Sequence, residues 1–372
     1  MAIALRACLA AAALAACTLL AWPSAAQTEP SPAYGSGGHV YLPFVNRRPG
    51  SDIAYPPKLR LSVGGRSRLA VVDTGSTGVV VAASAIADID NLPNLGPAGI
   101  TYSSSGRIMR GDWIVVPVTL TGADGASVTT RPIPVIAVRR IECTDRARNC
   151  TPDDDPAHVA MVGIGFAREH DHQRRGTPQT NPALNLAGIG TGGDWRRGYV
   201  VARDGIRLGL SADAVARFTF VKLARDEALG DWKTTPMCAS VSGSDAACGS
   251  VLVDTGVSDM FLTVPDAALE GHLAQADLDG DDGRPRRRLA DGTTLSFTLG
   301  EGAPSGRVTY GFTVGDRDNV VAPRRVILVG GSDRKPFVNT SVRLLNGFDY
   351  LFDADAGYVG FRRTGRPPAA IP

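Results

Sequence analysis

Leu69-Ala-Val-Val-Asp-Thr-Gly-Ser-Thr-Gly-Val-Val-Val81 and Ser250-Val-Leu-Val-Asp-Thr-Gly-Val-Ser-Asp-Met-Phe-Leu262 carry one pattern twice. In each, apolar residues lead into Asp-Thr-Gly, followed by one variable position, a hydroxyl residue, a polar or glycine residue and a second apolar run. The two aspartates, Asp73 and Asp254, lie 181 residues apart in a chain of 372. A repeat of about half the chain is a lobe rather than a solenoid unit. The sequence therefore reads as two similar lobes, 38–198 and 199–372, with the loop-rich 181–198 segment leading to the boundary.

One Asp-Thr-Gly alone is an ordinary strand-end turn, stabilised by its own side chain. Two copies, each leaving an apolar strand and entering another, carry more information. A carboxylate at the end of a buried strand is costly unless it is paired or hydrogen-bonded. Bringing the two turns face to face answers that cost, because two carboxylates in contact cannot both ionise and so share a proton. One can then activate a water while the other donates to a carbonyl under attack. Gly75 and Gly256 let the neighbouring backbone approach the carboxyls. Thr74 and Thr255 are placed to hydrogen-bond the facing loop.

Strand patterns extend outward from these turns. Leu59, Leu61 and Val63 alternate with polar residues, and Gly64-Gly65 turns the chain into the strand that ends at Asp73. His39–Val45 reads as an edge strand containing Pro43. Further strands are expected over Trp113–Leu120, Ile133–Val138, Ser296–Leu299, Val308–Val314 and Arg325–Val329. The best helix candidate is Pro265–Ala276, with proline suited to the first turn. The 43 glycines and 25 prolines agree with many short strands, so the expected class is all-β with few short helices. A net charge of +2 offers nothing to a nucleic acid.

The first 26 residues read as an export signal: Arg6, an apolar stretch from Ala7 to Trp22, and a small-residue cleavage site at Ser24-Ala25-Ala26. Residues 27–37 would be a short linker. The rival reading is a lipoprotein box, Leu14-Ala15-Ala16-Cys17, with Cys17 lipidated. No later stretch is long and apolar enough for a membrane span. Beyond the signal, Cys143, Cys150, Cys238 and Cys248 form two sequence-local pairs, which in an oxidising compartment read as the disulfides Cys143–Cys150 and Cys238–Cys248. A zinc site is a weaker alternative, since neither pair has tight C-x-x-C spacing or nearby histidines. The location expected is periplasmic or extracellular.

At the two Asp-Thr-Gly turns the chain resembles the pepsin-like aspartic peptidases, of an exported, bacterial type without a full propeptide. Ile100-Thr-Tyr102-Ser-Ser-Ser-Gly106 with Asp112-Trp-Ile-Val115 is similar to the family's flap hairpin. Met161-Val-Gly163-Ile-Gly165-Phe166 looks like the segment threading beneath the first catalytic turn, and Tyr350–Asp353 with Tyr358–Phe361 like the closing strands. The resemblance implies a bilobal fold with a cleft between lobes and Asp73 and Asp254 as catalytic pair. Thr74, Gly75, Ser76, Thr255 and Gly256 would support the turns, and Tyr102, Ser103 and Ser104 would cover the cleft. It implies a monomer that takes a peptide or protein substrate and needs no metal or cofactor. Such pairs are the established example of two carboxyls sharing one proton.

The chain departs from that family at three places. Val80 stands where tryptophan is usual, which removes the habitual partner of Tyr102. Val257 stands where a hydroxyl is usual, so Ser76 retains a donor for Asp73 while Asp254 is expected to lack one. That lack implies a proton held to higher pH and a less acidic optimum. In the second lobe the apolar-apolar-Gly landmark falls on Asn339-Thr-Ser341, with Val329-Gly330 earlier. These departures keep a second reading open, a pepsin-fold protein that binds a peptide or an enzyme without turnover.

Other signals are weak. Gly188, Gly190 and Gly193 form a G-x-G-x-x-G string with no strand before it or helix after it. Asp277, Asp279, Asp281 and Asp282 lack the glycine and glutamate of a calcium loop and read as a solvated loop balanced by Arg284 and Arg286–Arg288. His170 and His172 read as surface residues. No G-x-S-x-G elbow is present. A glycosidase would need its two carboxyls to flank a sugar rather than touch.

Overall fold

The computed structural model describes residues 32–365 except 103–104, 146, 148–149, 172, 189–195, 275–286, 304–305 and 331–333. The expected signal 1–26 with Cys17, the linker before residue 32, Ser103, Ser104, His172, Gly190, Gly193, the four loop aspartates, Arg284 and Arg286 lie outside these residues.

Short strands joined by turns build three main sheets, and the described helices are 3-10 turns alone. The class is all-β. A nine-stranded sheet holds the first lobe, from Lys58–Val63 to Ala160–Ile164, and a seven-stranded sheet the second, from Thr235–Val241 to Phe337–Asn339. A six-stranded sheet joins them, in the order Val40–Pro43, Gly205–Leu210, Arg196–Val201, Phe348–Asp353, Tyr358–Arg363 and Thr219–Lys222. Val40–Pro43 lies on its edge, where proline's missing N–H leaves no ladder bond unmade. Arg196–Val201 spans the position 198/199 at which the sequence reading divides the lobes.

The internal repeat returns as repeated topology. Ala160–Ile164 inserts between the two strands of the first Asp-Thr-Gly unit, parallel to Arg66–Asp73 and antiparallel to Thr77–Ala82. Phe337–Asn339 does the same in the second unit, parallel to Ala247–Leu252 and antiparallel to Met260–Thr263. The register sets Gly163 opposite Asp73 and Asn339 opposite Leu252, which puts Ser341 in step with Asp254. Counting along the sequence therefore located this segment correctly.

Alternation decides the burial. Lys58–Val63 turns Leu59, Leu61 and Val63 inward, while Thr77–Ala82 and Met260–Thr263 are buried at every residue, as strands covered on both faces must be. The core runs through both lobes and includes Phe44, Tyr199, Phe297, Phe348 and Phe352. Each such ring contributes roughly 1.5–3 kcal/mol on burial. Phe166 of the first lobe stacks on Phe352 of the joining sheet with centroids 4.3 Å apart.

Three expectations are corrected. Pro265–Ala276 does not form a helix over its described part: a 3-10 turn covers Asp266–Leu269, Gly271 takes φ +76°, and Ala274 N–H donates to Arg288 O. Only Leu269 of that turn is buried, so no apolar face rewards continuation. Trp113–Leu120 is two strands, Arg107–Val116 and Val118–Thr121, interrupted at Pro117. Ile133–Val138 extends to Cys143, because the charges that suggest its end pair instead, Arg139 with Asp112 and Arg140 with Glu142.

Candidate active site

Asp73 ends the strand Arg66–Asp73, and Asp254 follows Ala247–Leu252 by two residues. Both carboxyl residues are buried, at 5% and 6% exposure, so each needs partners. In the first turn Gly75 N–H donates to Asp73 Oδ1 at 2.7 Å and Ser76 Oγ to Oδ2 at 2.5 Å. In the second, Gly256 N–H donates to Asp254 Oδ1 at 2.8 Å and Asn339 Nδ2 to Oδ2 at 2.5 Å.

The two threonines lock the turns together. Thr74 N–H donates to Thr255 Oγ1 at 3.0 Å, and Thr255 N–H returns a bond to Thr74 Oγ1 at 3.1 Å. Each hydroxyl then donates across the interface, Thr74 to Val253 O at 2.6 Å and Thr255 to Val72 O at 2.7 Å. The glycines are required by space. A Cβ on Gly75 would stand 2.4 Å from the Asp254 Cγ, and one on Gly256 would stand 2.5 Å from Asp73 Oδ1. Each carboxyl is thus seated against the backbone of the opposite lobe.

Burial first, and then the charge of Asp73, push the Asp254 carboxyl well above the ordinary carboxylate range. The bonds from Asn339 and Gly256 act in the opposite direction. Tyr102 ends the strand Asn94–Tyr102, which pairs with Arg107–Val116 as a hairpin. Its ring is half-buried and its hydroxyl is buried, lacking a hydrogen-bond partner among the described residues. Ser76, whose proton goes to Asp73, lies near that hydroxyl. Burial and the Asp73 charge both raise the phenol's affinity for its own proton. Val80, at the position that would supply tryptophan, is packed in the core at 1% exposure.

The structure brings Asp73, Thr74, Gly75, Ser76, Asp254, Thr255 and Gly256 into one site, with Tyr102 near Asp73 and Ser76. It corrects one expectation: Asp254 does not lack a side-chain donor, since Asn339 supplies one. The sequence places Asn339 in the landmark segment Asn339-Thr-Ser341 but does not show its bond to Asp254, which lies 85 residues away. Its one signal was falling two residues before the position in step with the aspartate. Gln173 also went unseen. Buried behind the first turn, it accepts from Thr77 N–H at 3.0 Å and donates to Gly75 O at 3.2 Å.

Both expected disulfides form. Cys238 and Cys248 face each other across neighbouring strands, the second of which leads to Asp254. Cys143–Cys150 closes a loop beside the hairpin tip, where Thr144 N–H donates to Gly106 O at 2.9 Å and Cys143 pairs with Arg107. His170 sits exposed against Asp226 at 3.2 Å. Among the described residues no three His, Cys, Asp or Glu side chains converge as metal ligands, and no helix is long and apolar enough to cross a membrane.

The fold matches solved structures widely, with 398 matching chains. One is the aspartic proteinase from Irpex lacteus, with a TM-score of 0.52 and 13% identity over 88% of this chain and 98% of that one. No protein-family model matches the chain, and no match was found among curated proteins. The architecture is thus the bilobal pepsin-like fold, with the two Asp-Thr-Gly turns meeting between the lobes.

Proposed function

We propose that this chain is an exported aspartic endopeptidase with Asp73 and Asp254 as its catalytic pair. The observation that carries the reading is the seating of two buried carboxyls against each other's glycine, within one threonine-linked frame. A buried pair of this kind holds one proton in common. The ionised member takes a proton from water, whose oxygen attacks the carbonyl carbon of the peptide. The protonated member gives its proton to the carbonyl oxygen, and collapse of the adduct expels the amine with a proton. Water is consumed, and one acid and one amine are released. The substrate is an extended peptide lying between the lobes, with the Asn94–Tyr102 and Arg107–Val116 hairpin over it. The protein acts as a monomer of two lobes, 38–198 and 199–372, without metal or cofactor. Two disulfides suit an oxidising compartment outside the cytoplasm.

The test is incubation with a mixed peptide library from acid to neutral pH, with and without pepstatin. Pepstatin-sensitive internal cleavage supports the reading. A second reading draws on Val80 and on the Tyr102 hydroxyl, which has no hydrogen-bond partner among the described residues. It is a binding protein that captures a peptide without turnover, and the same library would then return bound, uncut peptides.

A further inference from the structure

The two lobes solve one problem with different residues. In the first, the third residue after the aspartate is Ser76, which donates to Asp73, and the residue behind it is Met161, whose sulfur lies 3.6 Å from Ser76 Oγ. Met161 pairs with Val71, two residues before Asp73. In the second lobe the third residue is Val257, and the residue in step with Met161 is Asn339, which pairs with Leu252, two residues before Asp254. An apolar residue and a donor have exchanged places between equivalent positions.

We propose that Asn339 is a positioning residue of the carboxyl pair, standing in for the hydroxyl absent at Val257 and holding Asp254 Oδ2 as an obligate proton acceptor. This inference rests on the aspartic-peptidase reading. The orientation of the amide is fixed from its far side: Asn339 Oδ1 accepts from Ser341 N–H at 3.1 Å, so Nδ2 must face Asp254. Asn339 is buried, at 5% exposure, which limits competition from solvent for its amide. An amide nitrogen donates and cannot accept. A hydroxyl can do both, and Ser76 has Met161 Sδ as a second, weak acceptor should Asp73 Oδ2 carry the proton. The two outer oxygens are therefore unequal: Asp73 Oδ2 can be protonated in place, and Asp254 Oδ2 cannot.

Among the described residues the titratable group acting on Asp254 is Asp73. Asp73 in turn faces Tyr102 from the hairpin and acts on the buried Tyr199 of the joining sheet. Burial and mutual repulsion set how tightly the pair holds its proton, and Asn339 sets where that proton cannot go.

The test compares wild type, Asn339→Leu, and the double variant Val257→Ser/Asn339→Met, which copies the first lobe's arrangement into the second. Asn339→Leu should move the alkaline limb of kcat/KM upward by roughly one pH unit and lower kcat about tenfold or more. The double variant should bring both values most of the way back. Urea midpoints at one pH verify that each protein is folded. Titration of aspartate carboxyl carbons by NMR follows the same groups without turnover. A limb and a carboxyl titration left unmoved by Asn339→Leu overturn the proposal, as does a double variant no better than the single. A wild type that cuts no peptide while its carboxyl titration moves in Asn339→Leu overturns the peptidase reading and supports the assignment of Asn339.

Discussion

Thr74 and Thr255 exchange backbone-to-hydroxyl hydrogen bonds of 3.0 and 3.1 Å across the two lobes, and each hydroxyl also donates to a carbonyl of the other's strand. Thr255→Val keeps the shape but strands two buried backbone groups, the Thr74 N–H and the Val72 carbonyl. Leaving them unmade costs about 2–4 kcal/mol. Urea unfolding should show that loss, and peptide cleavage should fall with it. Thr255→Ser, which keeps the hydroxyl, should lose less than half as much.

Asp73→Asn and Asp254→Asn should each abolish peptide cleavage, by about 10³-fold or more, because each variant removes one partner of a coupled acid–base step. Circular dichroism should be unchanged. Near-normal turnover in either variant would dismiss the two-carboxyl mechanism.

The same substitution at 254 has an effect on stability whose sign follows from burial. In the folded protein burial and Asp73 raise the Asp254 carboxyl's affinity for a proton, so it keeps one that the unfolded chain has released. The contribution is fully present below the unfolded value of about 3.9 and drains away as pH rises through the higher folded value. Asp254→Asn carries no such loss. Its stability relative to wild type should therefore climb as pH rises from about 4 to neutrality, read as urea midpoints at a series of pH values. A difference independent of pH would contradict the raised affinity.

Tyr102→Phe removes a buried hydroxyl that has no hydrogen-bond partner among the described residues, so stability should stay level or rise by up to about 1 kcal/mol. If the hydroxyl serves a bound peptide, KM rises severalfold while stability does not fall. A loss of more than about 1 kcal/mol would mean that the hydroxyl is bonded in the free protein.

The Cys143–Cys150 loop touches the hairpin tip through Thr144 and Gly106. Replacing both cysteines with serine should raise KM severalfold and leave kcat within about threefold. The lost stability should not exceed about 2–3 kcal/mol, as a short loop restrains little of the unfolded chain. Equal damage to kcat and KM would place the loop's influence in the dyad rather than in the hairpin.

What the sequence disclosed and what it hid follow from the range of each interaction. The Asp-Thr-Gly turns, the inserted Met161–Phe166 segment and the cysteine pairs are written in local patterns, and period-two burial made Leu59, Leu61 and Val63 readable. The missing helix after Pro265 was hidden because Gly271 and the Ala274–Arg288 bond override a run of good helix formers. The strand's extension through Arg139–Cys143 was not legible, because its charges are matched by Asp112 and Arg110 of the neighbouring strand and by the pairing of Arg140 with Glu142 along the strand itself. The donor role of Asn339 was hidden although its segment was located, because that role exists only once two strands lie side by side.

The joining sheet takes strands from both ends of the chain: Val40–Pro43 lies beside Gly205–Leu210, and Arg196–Val201 beside Phe348–Asp353. Pairings so distant along the chain carry a higher loop-closure cost than the local hairpins. The threonine exchange, spanning 181 residues, carries that cost too. A half-synthesised or half-folded chain therefore holds one turn and one carboxyl, with nothing to share a proton with. The proposed activity would appear in a single step when the final strands dock, and its onset would serve as a clock for the completion of folding.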